Sequence, residues 1–249
     1  MSWLARVFRL VAANLVPGGG FLLAGWSPAT ALTLYWFDNI LSALAMGARI
    51  FLHRRFTGAA GHNRPHIGAT YSTGKGSAPV PFRSFLAEFL VTSVSFTVGH
   101  GIFLAFVLGV LLERPDVSAV RQGAMAMAVC HAIALTLDAW RIQDWPFARL
   151  RHQAVQIMSR VILVHVAILG GMLLFAYRGT PDAFFSIFVW LKFLSDIGSM
   201  LPQYDPREPP RLLVALMHRF PKQKGESFED YWRRTKKEEE ARAAQDEHR

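Results

Sequence analysis

Apolar residues in this chain neither alternate nor keep to one helical face. They gather in blocks long enough for a helix to cross about 30 Å of hydrocarbon, roughly 20 residues each. Six such blocks lie near residues 6–26, 29–51, 84–112, 121–142, 155–177 and 182–202. No strand pattern or internal repeat competes with them. The pattern predicts an all-α fold, a polytopic membrane bundle of six transmembrane helices. The first block holds Asn14, Pro17 and Gly18 to Gly20, and no clean small-residue cleavage site follows it. It is therefore expected to stay in place as a signal anchor.

The segments between the blocks differ in kind. Residues 56–82 (FTGAAGHNRPHIGATYSTGKGSAPVPF) are rich in Gly, Ser, Thr and Pro. They are expected to be too polar to bury anything, so that residues 53–82 form a flexible cytoplasmic loop. His62 and His66 stand four apart there without helical context or a third ligand, and are read as loop residues. The composition changes again after Pro202, which divides a membrane domain at 1–205 from a charged helical tail at 206–249. Residues 210–219 (PRLLVALMHR) suit a short amphipathic helix lying on the inner leaflet. Ser227, followed three residues later by Asp230, predicts a capped helix running to about Arg242. That helix is expected to be solvated, with docking of a cytoplasmic partner as the alternative use.

Charge fixes an orientation. The 249 residues are 52% hydrophobic and carry a formal net charge of +9. Arg6 and Arg9 open the chain. Arg49, Arg54, Arg55, Arg64, Lys75 and Arg83 are assigned to the second connection, Arg141, Arg149 and Arg151 to the fourth, and many more to the tail. The first connection has no Lys or Arg, the third balances Arg114 and Arg121 against Glu113 and Asp116, and the fifth has Arg178 with Asp182. Basic residues thus alternate with the spans, which places both termini in the cytoplasm. A nucleic-acid partner is excluded because no basic residues are interleaved with aromatics on a folded module. The single cysteine, Cys130, rules out a disulfide framework and a Cys-rich zinc module, and reads as a small packing residue.

Polar residues inside spans carry the functional information, because each is costly in hydrocarbon unless it faces protein or water. Asp38 and Asn39 lie about halfway along the second span, and His100, His131, His165 and Lys192 about halfway along the third to sixth. Asp138 and Asp196 lie one or two turns away, toward the cytoplasmic side. Tyr35, Trp36, Phe103, Phe106 and Trp190 are assigned to packing or the lipid face. Each histidine alone reads as an interhelical hydrogen bond, but three at one depth on three helices point to a centre. Lys192 and Asp196, four apart, either neutralise each other or separate, with Asp38 pairing to Lys192 across the bundle.

Two chemistries fit that set. Neutral imidazoles of His100, His131 and His165 with Asp196 make a site for a divalent transition metal, zinc, iron or copper. Asp196 or Asp138 would be a fourth ligand or would fix the histidine tautomers. Asp196, Lys192 and Asp38 would then be the catalytic groups of a metal-dependent hydrolase or redox enzyme. Without metal, the same residues form a proton relay, as in a proton- or metal-coupled transporter. Haem held by two of the histidines ranks lower, and a structural scaffold serving the tail is the remaining alternative. The His-Glu-any-any-His, Gly-any-Ser-any-Gly and Cys-any-any-Cys-His patterns are absent from the sequence. The lipid bilayer is the expected partner, with a homo-oligomer as a further possibility.

The segments YWFDN (Tyr35 to Asn39), HGIF (His100 to Phe103), RVILVHVAILGG (Arg160 to Gly171) and LKFLSD (Leu191 to Asp196) occur in order along the chain. Together they resemble an uncharacterised family of prokaryotic multi-pass membrane proteins, a domain of unknown function, over roughly residues 5–200. The resemblance implies a bacterial inner-membrane location. It marks Asp38, Asn39, His100, His131, Arg160, His165, Lys192 and Asp196 as the family positions. The chain departs from that pattern in three places. It has Thr92 where a second histidine is expected, Gly198 to Met200 where another is, and aspartate rather than glutamate at Asp38. Those losses weaken a site of several metals or reduce it to one.

Overall fold

The computed structural model describes residues 11–67, 82–110, 114–158 and 227–248, with isolated positions elsewhere. The described elements are helical throughout. Helix α1 (Val16–Leu23) is entered through a π turn, Val11–Leu15, and has Pro17 in its first turn, where a missing N–H costs nothing. The chain leaves α1 through the carbonyl of Gly20, which accepts from the N–H groups of Ala24 and Trp26 at 3.0 Å each. The Trp26 ring folds back onto Gly20, whose missing Cβ makes the space.

Helix α2 (Pro28–Thr57) is the centre of the bundle. Ser27 caps it by accepting from the Thr30 N–H at 3.2 Å, and Pro28 fits its first turn. It ends at Gly58, whose φ of 65° is the left-handed conformation that stops a helix and favours glycine. Tyr35, Asp38, Ser42, Ala45, Met46, Arg49, Ile50 and His53 are buried at steps of three and four residues, one continuous inner stripe. At 30 residues α2 is about 45 Å long and outruns a bilayer core. Arg49, assigned by charge counting to a connection, lies inside this stripe and is 1% exposed.

Helices α3 (Phe85–Val110) and α4 (Val117–Ala139) flank α2 on two sides and pack on it rather than on each other. Helix α3 runs antiparallel to α2: Gly47 meets Leu90, and Trp36 donates from Nε1 to the Thr97 carbonyl at 3.0 Å. Helix α4 runs parallel to α2. Asp116 caps it, accepting from the N–H groups of Ser118 and Ala119 at 2.8 and 3.3 Å. The Asp116 N–H in turn donates to Thr30 Oγ1 at 2.9 Å, which ties the starts of the two helices together. Further along, Gly123 admits the Leu34 side chain, and Ala12, Leu34 and Met127 form a small core there.

Among the described residues two helices are long and apolar enough to cross a membrane, Phe85–Gly109 and Val117–Ala139. They stand where the pattern predicts spans over 84–112 and 121–142. Both leave apolar side chains outside: Val91, Val94, Val98, Ile102 and Phe106 on α3, and Val117, Met125, Val129 and Ile133 on α4. The count of six spans is not supported at this level. Helix α2 carries Asp38, Asn39 and Arg49 and does not reach the same apolarity. The blocks near 155–177 and 182–202, and most of the helix expected over 210–219, fall outside the described residues.

Beyond α4 a 3₁₀ turn, Ile142–Asp144, leads into helix α5, described over residues 147–158. The segment after α2 corrects an expectation. Residues 58–67, inside the connection expected to be flexible, form a 3₁₀ turn, Ala60–Asn63, with His62 1% exposed. The segment is held by apolar partners remote in sequence: Ala59 and Ile67 share a core with Met46, Ile50, Phe85, Phe89, Ile142, Trp145, Phe147 and Leu150. The tail helix α6 (Phe228–Glu247) starts at the expected cap, with Ser227 Oγ accepting from the Asp230 N–H at 3.1 Å, and runs on past Arg242. Most of it is exposed as expected, but its tip is not: Asp246 is 2% exposed and lies on the turn after α2.

Candidate functional site

Two polar pairs join α2 to α4 through an apolar interface. His131 Nε2 lies 2.9 Å from Asp38 Oδ1, with the side chains 6% and 1% exposed. Farther toward the ends of both helices, Arg49 Nε donates to Asp138 Oδ2 at 3.0 Å, with both side chains almost fully buried. The parallel run of α2 and α4 makes this possible, because Asp38 and Arg49 share the inner stripe of one helix while His131 and Asp138, seven residues apart, share that of the other. A residue at the Asp38 depth thus meets His131, and one nearer the Gly58 end meets Asp138.

The donor rules set the tautomer of His131. An ionised carboxylate only accepts, so the imidazole proton sits on Nε2 and points at Asp38. In the neutral ring Nδ1 then holds a lone pair. That atom is buried and bonds to no described side chain. The geometry presents a buried base whose other face is anchored by a carboxylate, an arrangement suited either to taking up a proton or to ligating a metal through Nδ1.

The expected site residues come together only in part. Asp38 and His131 are joined directly, and the expected pairing of Asp38 with Lys192 lies outside the described residues. Asp138, expected as a fourth ligand or as the group that fixes a histidine tautomer, is bound to Arg49. His100 is half-buried on α3, and α2 stands between its helix and that of His131. Arg160, His165, Lys192 and Asp196 lie outside the described residues. Among the described residues no three His, Cys, Asp or Glu side chains are grouped to hold a metal ion. Among the described residues, the Asp38–His131 pair leaves one imidazole nitrogen as a donor, which is not a metal site by itself. Tyr35 is buried and packs the bundle, whereas Phe106 and Trp190 are exposed.

A second cluster, at the end where α2 and α4 finish, escaped sequence reasoning. His53 sits between the Trp145 carbonyl, 2.9 Å from Nε2, and His62 Nε2, 2.8 Å from Nδ1. Glu88 of α3 accepts from the backbone N–H of Ile67 at 2.9 Å and from that of His66. His53 continues the same stripe as Asp38 and Arg49, and that spacing was the signal available. Nothing local marks Glu88, whose partners lie 21 and 22 residues earlier in the chain.

The fold and site thus define a helical protein with, among the described residues, two helices long and apolar enough to cross a membrane and a buried histidine–carboxylate pair between α2 and α4. Residues 2–227 match the family described as "Family of unknown function (DUF6498)", and the chain belongs to it. No curated protein and no solved structure matches the chain.

Proposed function

We propose that the protein is a multi-pass inner-membrane protein of six spans, with both termini in the cytoplasm, that moves protons through the Asp38–His131 pair as part of a coupled transport cycle. The observation that carries this reading is the 2.9 Å hydrogen bond between those side chains, buried between two helices and more than two turns from either end of each. A buried carboxylate and imidazole in contact exchange and hold a proton at little structural cost, and intramembrane ionisable residues are retained for such work. The outward apolar faces of α3 and α4 and the alternation of basic connections support the membrane setting. Arg49 and Asp138 neutralise each other along the same interface and add no net charge to it. His165, Lys192 and Asp196 are the further candidates for the route.

One observation favours a second reading. A carboxylate behind an imidazole whose remaining nitrogen lacks a described partner is also how a metal-ligating histidine is oriented, and the divalent metal site would then be completed by His165 and Asp196. Purified protein in liposomes with an internal pH indicator separates the two. Proton flux driven by a pH gradient, falling at least about tenfold in Asp38→Asn and His131→Gln, supports the proton reading. Stoichiometric bound metal lost in His131→Ala, with no flux in the parent protein, replaces it with the metal reading.

A further inference from the structure

The histidines on the capped end of the bundle form a chain whose hydrogens are fixed. A carbonyl only accepts, so His53 must carry its proton on Nε2, toward Trp145, and in the neutral ring offers Nδ1 as an acceptor. His62 Nε2, 2.8 Å away, is then the donor, with the Thr57 hydroxyl 3.2 Å from the same His53 nitrogen. This leaves His62 Nδ1 as a lone pair, buried and without a described partner. Phe147 closes the cluster, its ring centre 5.0 Å from that of His62 and 4.9 Å from that of His66. Gly61 lies against the same ring with no room for a Cβ.

The other side of this turn carries the tip of α6. Asp246 receives Arg64 through Nε at 2.6 Å and through a second guanidinium nitrogen, with Arg151 Nη1 3.9 Å and His66 Nε2 3.8 Å away. The Ala60 N–H donates to the His248 carbonyl at 2.7 Å, and Glu247 Oε1 accepts from the Ala148 N–H in the first turn of α5 at 3.1 Å. One short segment therefore has His62 packed beneath it and the tail tip bound above it.

We propose that the tip of α6 is a latch on the end of the bundle where α2 and α4 finish, and that it opens on acidification, when protonation of His62 displaces the Ala60–Asn63 turn and frees Asp246, Glu247 and His248. A second proton on His62 must go on Nδ1, the buried atom with no described acceptor. Among the described residues, no carboxylate is hydrogen-bonded to His62 Nδ1. Helix α2 brings His53 and Arg54, the turn brings Arg64 and His66, α5 brings Arg151 and His152, and α6 brings Asp246, Glu247 and His248. Glu88 of α3 accepts from backbone N–H groups, and Asp246 is bound to Arg64. Burial first, then the nearness of His53, Arg54 and His66, pushes His62 down from 6.5 to about 4. Above 6.5 the ring is neutral whether docked or released. Between 6.5 and about 4 the released segment takes up a proton that the docked one resists, so docking weakens as pH falls through that window.

The test is a distance measurement by electron spin resonance on the full-length protein in lipid nanodiscs. Spin labels are placed at Asn63→Cys and Gln245→Cys, both exposed, in a Cys130→Ser background. A single short distance is expected at about pH 7.5, and a second, long population at least about threefold larger at about pH 5 than at pH 7.5. His62→Gln, which keeps a donor toward His53, should stay closed at both values. Joint Arg64→Gln and Arg151→Gln substitution should open the latch at both. A short distance that persists to about pH 4.5, or an acid response that survives in His62→Gln, overturns the proposal. Should His62→Gln fail to close at about pH 7.5, the parent titration decides, with a midpoint between about 4 and 6.5 supporting the latch and a midpoint elsewhere overturning it.

Discussion

Arg49 and Asp138 meet at 3.0 Å inside the bundle, two charged side chains exposed by 2% and 0% that draw α2 and α4 together near their ends. Desolvating both costs several kcal/mol, offset only while the two remain in contact. Losing one partner is therefore worse than losing both. Asp138→Ala should destabilise the purified protein by about 3–5 kcal/mol, and Arg49→Met with Asp138→Leu should recover most of that loss. Thermal unfolding in detergent checks it; equal damage from the single and double variants would show that the pair does not act as a unit.

Close approach at two glycines gives a stability ranking. A Cβ at Gly123 would come 2.6 Å from Leu34 Cδ1, the end of a flexible side chain that can shift. A Cβ at Gly20 would run into the six-membered ring of Trp26, which is rigid. Gly20→Ala should cost about 1–3 kcal/mol and Gly123→Ala less, by the same unfolding measurement.

The start and end of α2 each rest on one residue. Ser27→Ala removes the oxygen that accepts from Thr30 and should cost about 1 kcal/mol. Gly58→Ala forces a side chain into the φ of 65° and should cost at least as much, about 1 kcal/mol. Hydrogen exchange resolves them: faster exchange should be confined to the first turn of α2 for Ser27→Ala and should reach the His62 turn for Gly58→Ala.

Local signals in the sequence were the legible ones. Ser227 ahead of Asp230 marks a helix start because a cap needs residues only three apart. The blocks that became α3 and α4 were equally plain, since apolar length is a property of one segment. Asp38 and His131 stood out by depth, yet their contact depends on α2 and α4 running parallel across 93 residues of chain. Local polarity misdirects at two places. Arg49 counts as a loop charge until Asp138 is known to face it. His62 and His66 look solvated because their covering residues, Phe147 and Asp246, lie far along the chain. The tail helix was readable as far as its cap, but its docked tip was not, since Arg64 and Asp246 are 182 residues apart.

Acid should act on two regions for separate reasons, which allows them to be told apart. Proton movement through Asp38 and His131 should be abolished by Asp38→Asn without altering the α6 latch, because no described contact links the two clusters directly. His62→Gln should suppress the latch response and leave proton flux within about twofold. Parallel loss of both readouts in either variant would show a shared structural defect.

The direct test of the account is the state of the His131 ring. Solid-state nitrogen NMR on protein labelled at histidine, with the His131 signals assigned by their disappearance in His131→Gln, reports which ring nitrogen carries the proton. At about pH 7.5 the expected result is a neutral ring protonated on Nε2, with Nδ1 bare, and a clear change in both signals in Asp38→Asn. A ring protonated on Nδ1, or His131 signals that do not respond to Asp38→Asn, would contradict it.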